Sequence, residues 1–415
     1  MKGGEKMKSN KEYYRSAYRM LRLTRYLVLV LFVLFTVFSM TFFNEEITFD
    51  NFRYLMKYIE ISPPVSDDGT VNVHFSASNS ANFALINEKI VVANPQNIMS
   101  FDRGGRKILD EDIKYPNPIA IKNSKYILIY DLDGYSVSVY NSFSKVFETT
   151  LETPIEYVYL SDDGGFAVIT REKTYAGGVV AFNSKFKKVF TFMTRNANVT
   201  DVCFDGKKGL LACTTTDVRD GDFFSEILTF DMSDDSDYKS RTELFGELPL
   251  SMFCAKEGFA LMTDKGIHHF DYNGKESAFS DFGFDTPCSV YKFRDFFAVT
   301  LKSALAGTDT SINIYSYDGD KLFTSHYTEE ISDIDAANGK LYVLEQFGLG
   351  IHSYDSAYNF TADNNSYIAG NGEYKKVFAS EDNSFYLVSL SGAVKYDAPN
   401  PEKTEDDTEN ELANS

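Results

Sequence analysis

ISDIDAANGKLYVLEQFGLGIHSYD, residues 331–355, decides the fold. Its apolar residues come in short runs broken by turn formers. That pattern predicts strands over residues 331–336, 340–345 and 351–354, joined by a tight turn at Asn338-Gly339 and a second turn over 347–350. A unit this small leaves its sheet faces bare, so stacked copies are needed to bury them.

The chain supplies the copies. An aromatic followed by Asp or Asn recurs at Phe101-Asp102, Tyr140-Asn141, Phe182-Asn183, Phe230-Asp231, Phe270-Asp271, Tyr317-Asp318, Tyr354-Asp355 and Tyr396-Asp397, at intervals of about 42 residues. The ring of each mark can fill the gap between neighbouring sheets, and the Asx side chain can cap the turn into the next strand. An apolar hairpin precedes every mark, with no helical period between them. The expectation is an all-β fold, a β-propeller of eight blades, with seven as the alternative because the fourth unit is long and the last has only three strands. Residues 71–75 (VNVHF) stand spare before the first unit. They are predicted to supply the outer strand of the last blade and so close the ring.

Ahead of the repeat, residues 26–43 (YLVLVLFVLFTVFSMTFF) carry no charge and would rise about 27 Å as a helix, enough to span a bilayer. Residues 1–25 carry a net charge of +6, which leaves −25 on the rest of a chain whose total is −19. The positive-inside bias makes 1–25 a basic cytoplasmic segment, 26–43 a transmembrane helix and everything beyond it extracellular, in a single-pass protein of the cell membrane. The lack of a small-x-small site before residue 43 favours an uncleaved anchor over a secretory signal. Residues 44–70 read as a short amphipathic helix (Phe52, Leu55, Met56, Ile59) and a Pro-containing linker, 71–397 as the propeller, and 398–415 as an acidic disordered tail.

Little in the sequence points to chemistry. The acidic body repels nucleic acid. The four cysteines form no CxxC pair and read as small buried residues or one disulfide, with Cys203 and Cys254 at the same position of successive units. The five histidines have no metal-binding spacing, and the acidic runs at 131–134 and 231–237 read as solvated turns. No nucleophile elbow or phosphate loop occurs, so no catalytic residue, cofactor or metal is expected.

Three turns between second and third strands are predicted to be long: residues 171–178, 214–225 and 302–310. A propeller places all such turns on one face. The candidate ligand rim is therefore Arg171, Lys173, Tyr175, Arg219, Phe223 and Phe224, a mixture of cations and aromatics. First strands offer Glu156, Asp201, Asp333 and Asp335 as channel carboxylates, the pair chemistry that a glycosidase or lyase would need.

The anchor, the short helix and the aromatic-Asx units together resemble an uncharacterised family of bacterial single-pass membrane proteins with a WD-repeat-like or quinoprotein-like propeller domain. Eight-bladed folds include quinoprotein-like dehydrogenases, whose docking motifs need tryptophan, and this chain has none. The reading that follows is a membrane-anchored, extracytoplasmic, non-enzymatic binding or scaffold module for an envelope protein or glycan. An extracytoplasmic propeller enzyme (glycosidase, lyase or quinone-type oxidoreductase) is the alternative.

Overall fold

The computed structural model describes residues 18, 20–34, 71–141, 144–171, 174–233, 238–304, 309–369 and 372–398, divided between two compact units, Met1–Ile61 and Ser62–Ser415. In the first unit residues 20–34 form a helix with exposed side chains. Among the described residues no helix is long and apolar enough to cross a membrane. The predicted span coincides with the helix over 26–34, and its remainder, 35–43, lies outside the described residues. So do the amphipathic helix and linker of 44–70 and residues 399–415 of the tail.

The second unit is an eight-bladed β-propeller. Each blade is a four-stranded antiparallel sheet, and seven of the eight are consecutive meanders: the first begins with Asn82–Ile86 and the seventh ends with Phe360–Ala369. First strands of neighbouring blades approach one another at several joints around the axis, most closely between the fourth and fifth and between the seventh and eighth blades. The eighth blade takes Lys376–Ala379, Ser384–Val388 and Gly392–Asp397 from the C-terminal end of the repeat and Val71–His74 from its beginning. Val71 pairs with Lys395 and His74 with Gly392, so the spare strand closes the ring as expected.

The core is a ring of eight separate apolar clusters, one in each gap between neighbouring blades. At the third gap Ala167, Val179 and Ala181 of one sheet meet Val202, Phe204 and Leu211 of the next. Second and third strands, covered on both faces, are buried almost without break, as Phe166–Thr170 and Gly177–Phe182 illustrate, whereas outer strands alternate with solvent. The closing seam adds charge to packing. Arg103 and Lys395 both face Glu88 and Asp382, tying the first blade to the eighth.

The aromatic-Asx marks do the work assigned to them. Phe101, Tyr140, Phe182, Phe230 and Phe270 are buried between sheets. Asp102, Asn183, Asp271 and Asp355 each accept two backbone N–H bonds from the turn that follows. Two details differ. In the sixth blade the buried ring at the strand end is Tyr315, and Ser316 receives the turn N–H from Asp320. Tyr317 instead lies in the turn, where its hydroxyl donates to Phe293 O at 2.8 Å. In the quoted stretch the third strand starts at Gly348, not 351, because glycines 348 and 350 pair as readily as any residue and leave only Gln346-Phe347 as the turn. The Asn338-Gly339 turn has both residues at positive φ, as its sequence predicts.

Val73 is 1% exposed within the cluster joining the eighth and first blades. Val73→Asp buries a charge at the closing strand and is expected to lower the melting temperature by roughly 5–10 °C, at about 2–4 °C per kcal/mol. An unchanged melt would show that the strand is dispensable.

Candidate functional site

In a four-stranded meander, odd and even strands run in opposite directions. Turns between strands two and three, together with links from one blade to the next, therefore collect on one rim, called upper here. The remaining turns collect on the lower rim. Residue 71 joins the ring at the lower rim, since it pairs with Lys395 near the end of the third strand. Two regions then merit chemical inspection: the axis and the upper rim.

The inner strands of blades three to seven share a register shift of one residue, between Ile155 and Tyr157, Val199 and Asp201, Pro249 and Ser251, Pro287 and Ser289, and Ile331 and Asp333. Such bulges re-aim the next side chain. At Asp201 and Asp333 that side chain is turned into the following blade. Asp201 accepts N–H bonds from Val202 at 2.7 Å and from Met252 of the next inner strand at 2.5 Å. Asp333 accepts the Val377 N–H at 3.1 Å and pairs with Lys376 at 2.8 Å. Two residues on, Asp335 accepts from Ala336 and Ala379. Glu156 is bound by Arg171 at 2.7 Å, and Arg171 also reaches Asp133 of the second blade. All four predicted channel carboxylates therefore have hydrogen-bonded or cationic partners, and three of them fasten one blade to the next.

Burial sets their electrostatics. It pushes Asp201 up to about 6, against the pull of Lys292 and the two amides. Asp333 and Asp335 are raised for the same reason, opposed by Lys376 and by Lys122 respectively. Lys292 keeps accessible surface in an axial cavity of about 440 Å³, lined also by Tyr157, Ser251, Tyr291, Ile334 and Asp335. Protein nonetheless encloses it, and that enclosure lowers its pKa despite the neighbouring Asp201. Its ammonium donates to Met252 O at 3.1 Å and sits near the Phe253 and Tyr159 rings, while the Tyr159 hydroxyl accepts the Cys254 N–H.

Cys203 and Cys254 share one apolar cluster as free thiols. They are not equivalent positions: Cys203 faces Ala212 across its hairpin, and the matching residue of the next blade, opposite Ala260, is Phe253. Asp131, expected in a solvated turn, is buried and accepts the Asn117 N–H. Among the described residues no cluster of His, Cys, Asp and Glu has the geometry to hold a metal ion.

At the upper rim the predicted loop over 214–225 is instead a regular hairpin. Leu210–Arg219 pairs with Asp222–Asp231 throughout, turning at Asp220-Gly221, because Thr, Val and Phe continue the strand alternation past the blade edge. Arg219 and Phe223 are exposed on it. Phe224 is buried against Phe245, with the Arg219 guanidinium 3.4 Å above its ring and Asp217 beside it. In the third blade Arg171 is exposed and Tyr175 half-buried under Arg195, and Lys173 lies outside the described residues. The two groups thus stand on separate blades. The sequence reading overlooked Val218, Phe245, Leu250 and Phe284. They are 61%, 69%, 40% and 88% exposed on the same rim, and apolar residues in alternating strands give no advance sign of which will lack a neighbour.

The fold defines the class of protein, an eight-bladed propeller whose inner-strand carboxylates bridge neighbouring blades. The chain belongs to the DUF5711 family, a family of unknown function whose model matches residues 68–390. No curated protein matches it. Among solved structures it is similar to BamB from Moraxella catarrhalis, with 12% identity over 78% of this chain and 99% of that one and a TM-score of 0.47. It is also similar to streptogramin B lyase (11% identity, 79% and 96% covered, TM-score 0.44) and to BBS1N in complex with ARL6DN (13%, 67% and 88%, 0.42).

The raised Asp201 makes stability pH-dependent. Its unfolded carboxyl ionises near the ordinary 3.8, and the folded one at about 6. The folded state therefore holds the proton more tightly in that window, and stability falls as pH rises through it. Asp201→Asn removes this contribution, so wild-type stability relative to the variant should decline by on the order of 3 kcal/mol between pH 4 and 7 in urea titrations. Parallel curves would contradict the assignment.

Proposed function

We propose that this protein is a membrane-anchored, extracytoplasmic propeller acting as a non-enzymatic binding or scaffold module for an envelope protein. The observation that carries the reading is the commitment of Glu156, Asp201, Asp333 and Asp335 to blade-to-blade bonds and cations, which takes the axial acids away from acid–base work and leaves the upper rim as the available surface. The uncharged run of 26–43 behind Arg15, Arg19, Arg22 and Arg25 supports the anchor and its orientation. The same rim also carries Arg171, Tyr175, Arg219 and Phe223, which keep their place as candidate contacts, with Lys173 beside them in sequence.

Orientation can be read from Cys288, which is exposed while Cys203 and Cys213 are buried. A membrane-impermeant maleimide added to intact or outer-membrane-permeabilised cells should label the wild type and not Cys288→Ser. Labelling only after lysis would place the propeller on the other side. Impermeant cross-linking on the same cells should join one envelope protein to the propeller repeatedly. Recovery of the uncross-linked chain alone would contradict the scaffold reading.

A further inference from the structure

Cys203 and Cys254 lie on the inner strands of the fourth and fifth blades, one of the two joints at which inner strands approach most closely. Strand alternation settles which way each side chain points. On Asn198–Asp205, Val202 and Phe204 pack into the cluster shared with the third blade, so Cys203 between them points to the fifth, in whose cluster it lies. On Pro249–Cys254, Phe253 packs toward the sixth blade, so Met252 and Cys254 on either side of it point back to the fourth. The Asp201 fastener settles their height. Asp201 accepts the Met252 N–H, which sets those two residues level. Inner strands run in the same direction, so two residues further along Cys203 stands level with Cys254. The seventh and eighth blades show the same step: Asp333 reaches the Val377 N–H and, two residues on, Asp335 reaches the Ala379 N–H.

The two thiols thus face each other across one gap, with side chains opposed and backbones within side-chain reach, as a disulfide requires. The other cysteines point elsewhere: Cys213 packs into the third-blade cluster on the far side of its sheet, and Cys288 is exposed on the sixth blade. Cys203 is fully buried, whereas Cys254 keeps partial exposure and is the sulfur a reagent can approach. Burial pushes the Cys203 thiol well up, with Cys254 adding to the rise and Lys292 opposing it. The Tyr159 hydroxyl accepts the Cys254 N–H and steadies that end of the strand. We infer that Cys203 and Cys254 form a disulfide that staples the fourth blade to the fifth. The oxidant is a disulfide of a small thiol or of a protein. Cys254, as thiolate, attacks one of its sulfurs and releases the other, which takes up the proton that Cys254 gave. Cys203 then attacks the Cys254 sulfur, and its proton goes to the second thiol released. The protein loses two electrons, and the oxidant gains them as its S–S bond becomes two thiols. The loop closed holds about 50 residues, long enough for the link to restrict the unfolded chain appreciably.

The test uses the full chain in neutral-lipid nanodiscs, carrying Cys288→Ser so that the exposed thiol takes no part. The chain is incubated with oxidised glutathione at graded temperatures below its melt, its remaining thiols are blocked with iodoacetamide in urea, and it is digested without reduction for mass spectrometry. One linked peptide pair carrying Cys203 and Cys254 should appear, with Cys213 alkylated, and dithiothreitol should cleave it. The oxidised form should melt roughly 5–10 °C above the reduced form of the same chain. The further variant Cys254→Ser should melt alike in both buffers. Glutathione left on Cys254 with Cys203 alkylated, a link to Cys213, or no link at any temperature in a chain that stays folded would overturn the inference. A link that leaves the melt unchanged or lowers it would overturn the staple. Oxidised and reduced states are compared on one chain, so the result does not depend on how a second variant folds. The inference is independent of the scaffold reading, because the purified chain answers it whichever side of the membrane the propeller occupies.

Discussion

A blade of this protein cannot exist alone. Its second and third strands are apolar on both faces, so every sheet needs a neighbour on each side, and the requirement is met for all eight only if the ring closes. Closure falls to four residues, Val71–His74, hydrogen-bonded to the far end of the repeat and backed by the Arg103, Lys395, Glu88 and Asp382 charges. The same pairing places both ends of the propeller sequence at the lower rim.

Toward the axis the wedge-shaped gaps narrow and apolar packing thins out, and backbone amides of neighbouring inner strands come within reach of one another's side chains. Asp201, Asp333 and Asp335 exploit that proximity. A carboxylate accepting amides across a blade boundary is geometrically stricter than an apolar contact, and it fixes the angle between blades as well as their distance. Keeping these acids buried raises their proton affinity, and Lys292, Lys376 and Lys122 limit the rise. Asp201, Asp333 and Asp335 each fasten one blade to the next.

Most of the architecture was legible because it depends on local rules. The aromatic-Asx marks combine a gap-filling ring with a turn cap, and the Asn338-Gly339 turn requires positive φ, so pattern and structure coincide. The eighth blade was legible by bookkeeping, from a spare strand at one end and a short unit at the other. Two features were not. The inner-strand bulges that turn Asp201 and Asp333 into the next blade leave no mark in residue type. Val218, Phe245 and Phe284 are exposed on three separate segments of the upper rim, and exposure of such residues is decided by where a strand outruns its neighbour. Of the rim residues expected from the sequence, Arg219 and Phe223 are exposed on the fourth-blade hairpin, but Phe224 beside them is core.

Native-state hydrogen exchange on the full chain bears most directly on the closed ring from which the rest follows. The account predicts that the amides of residues 71–74 that bond to the third strand of the last blade exchange as slowly as those of 392–395, rising and falling with them as denaturant is added. Rapid exchange of 71–74 while 392–395 stay protected would mean that the ring is held without this strand, and the account would be wrong at its foundation.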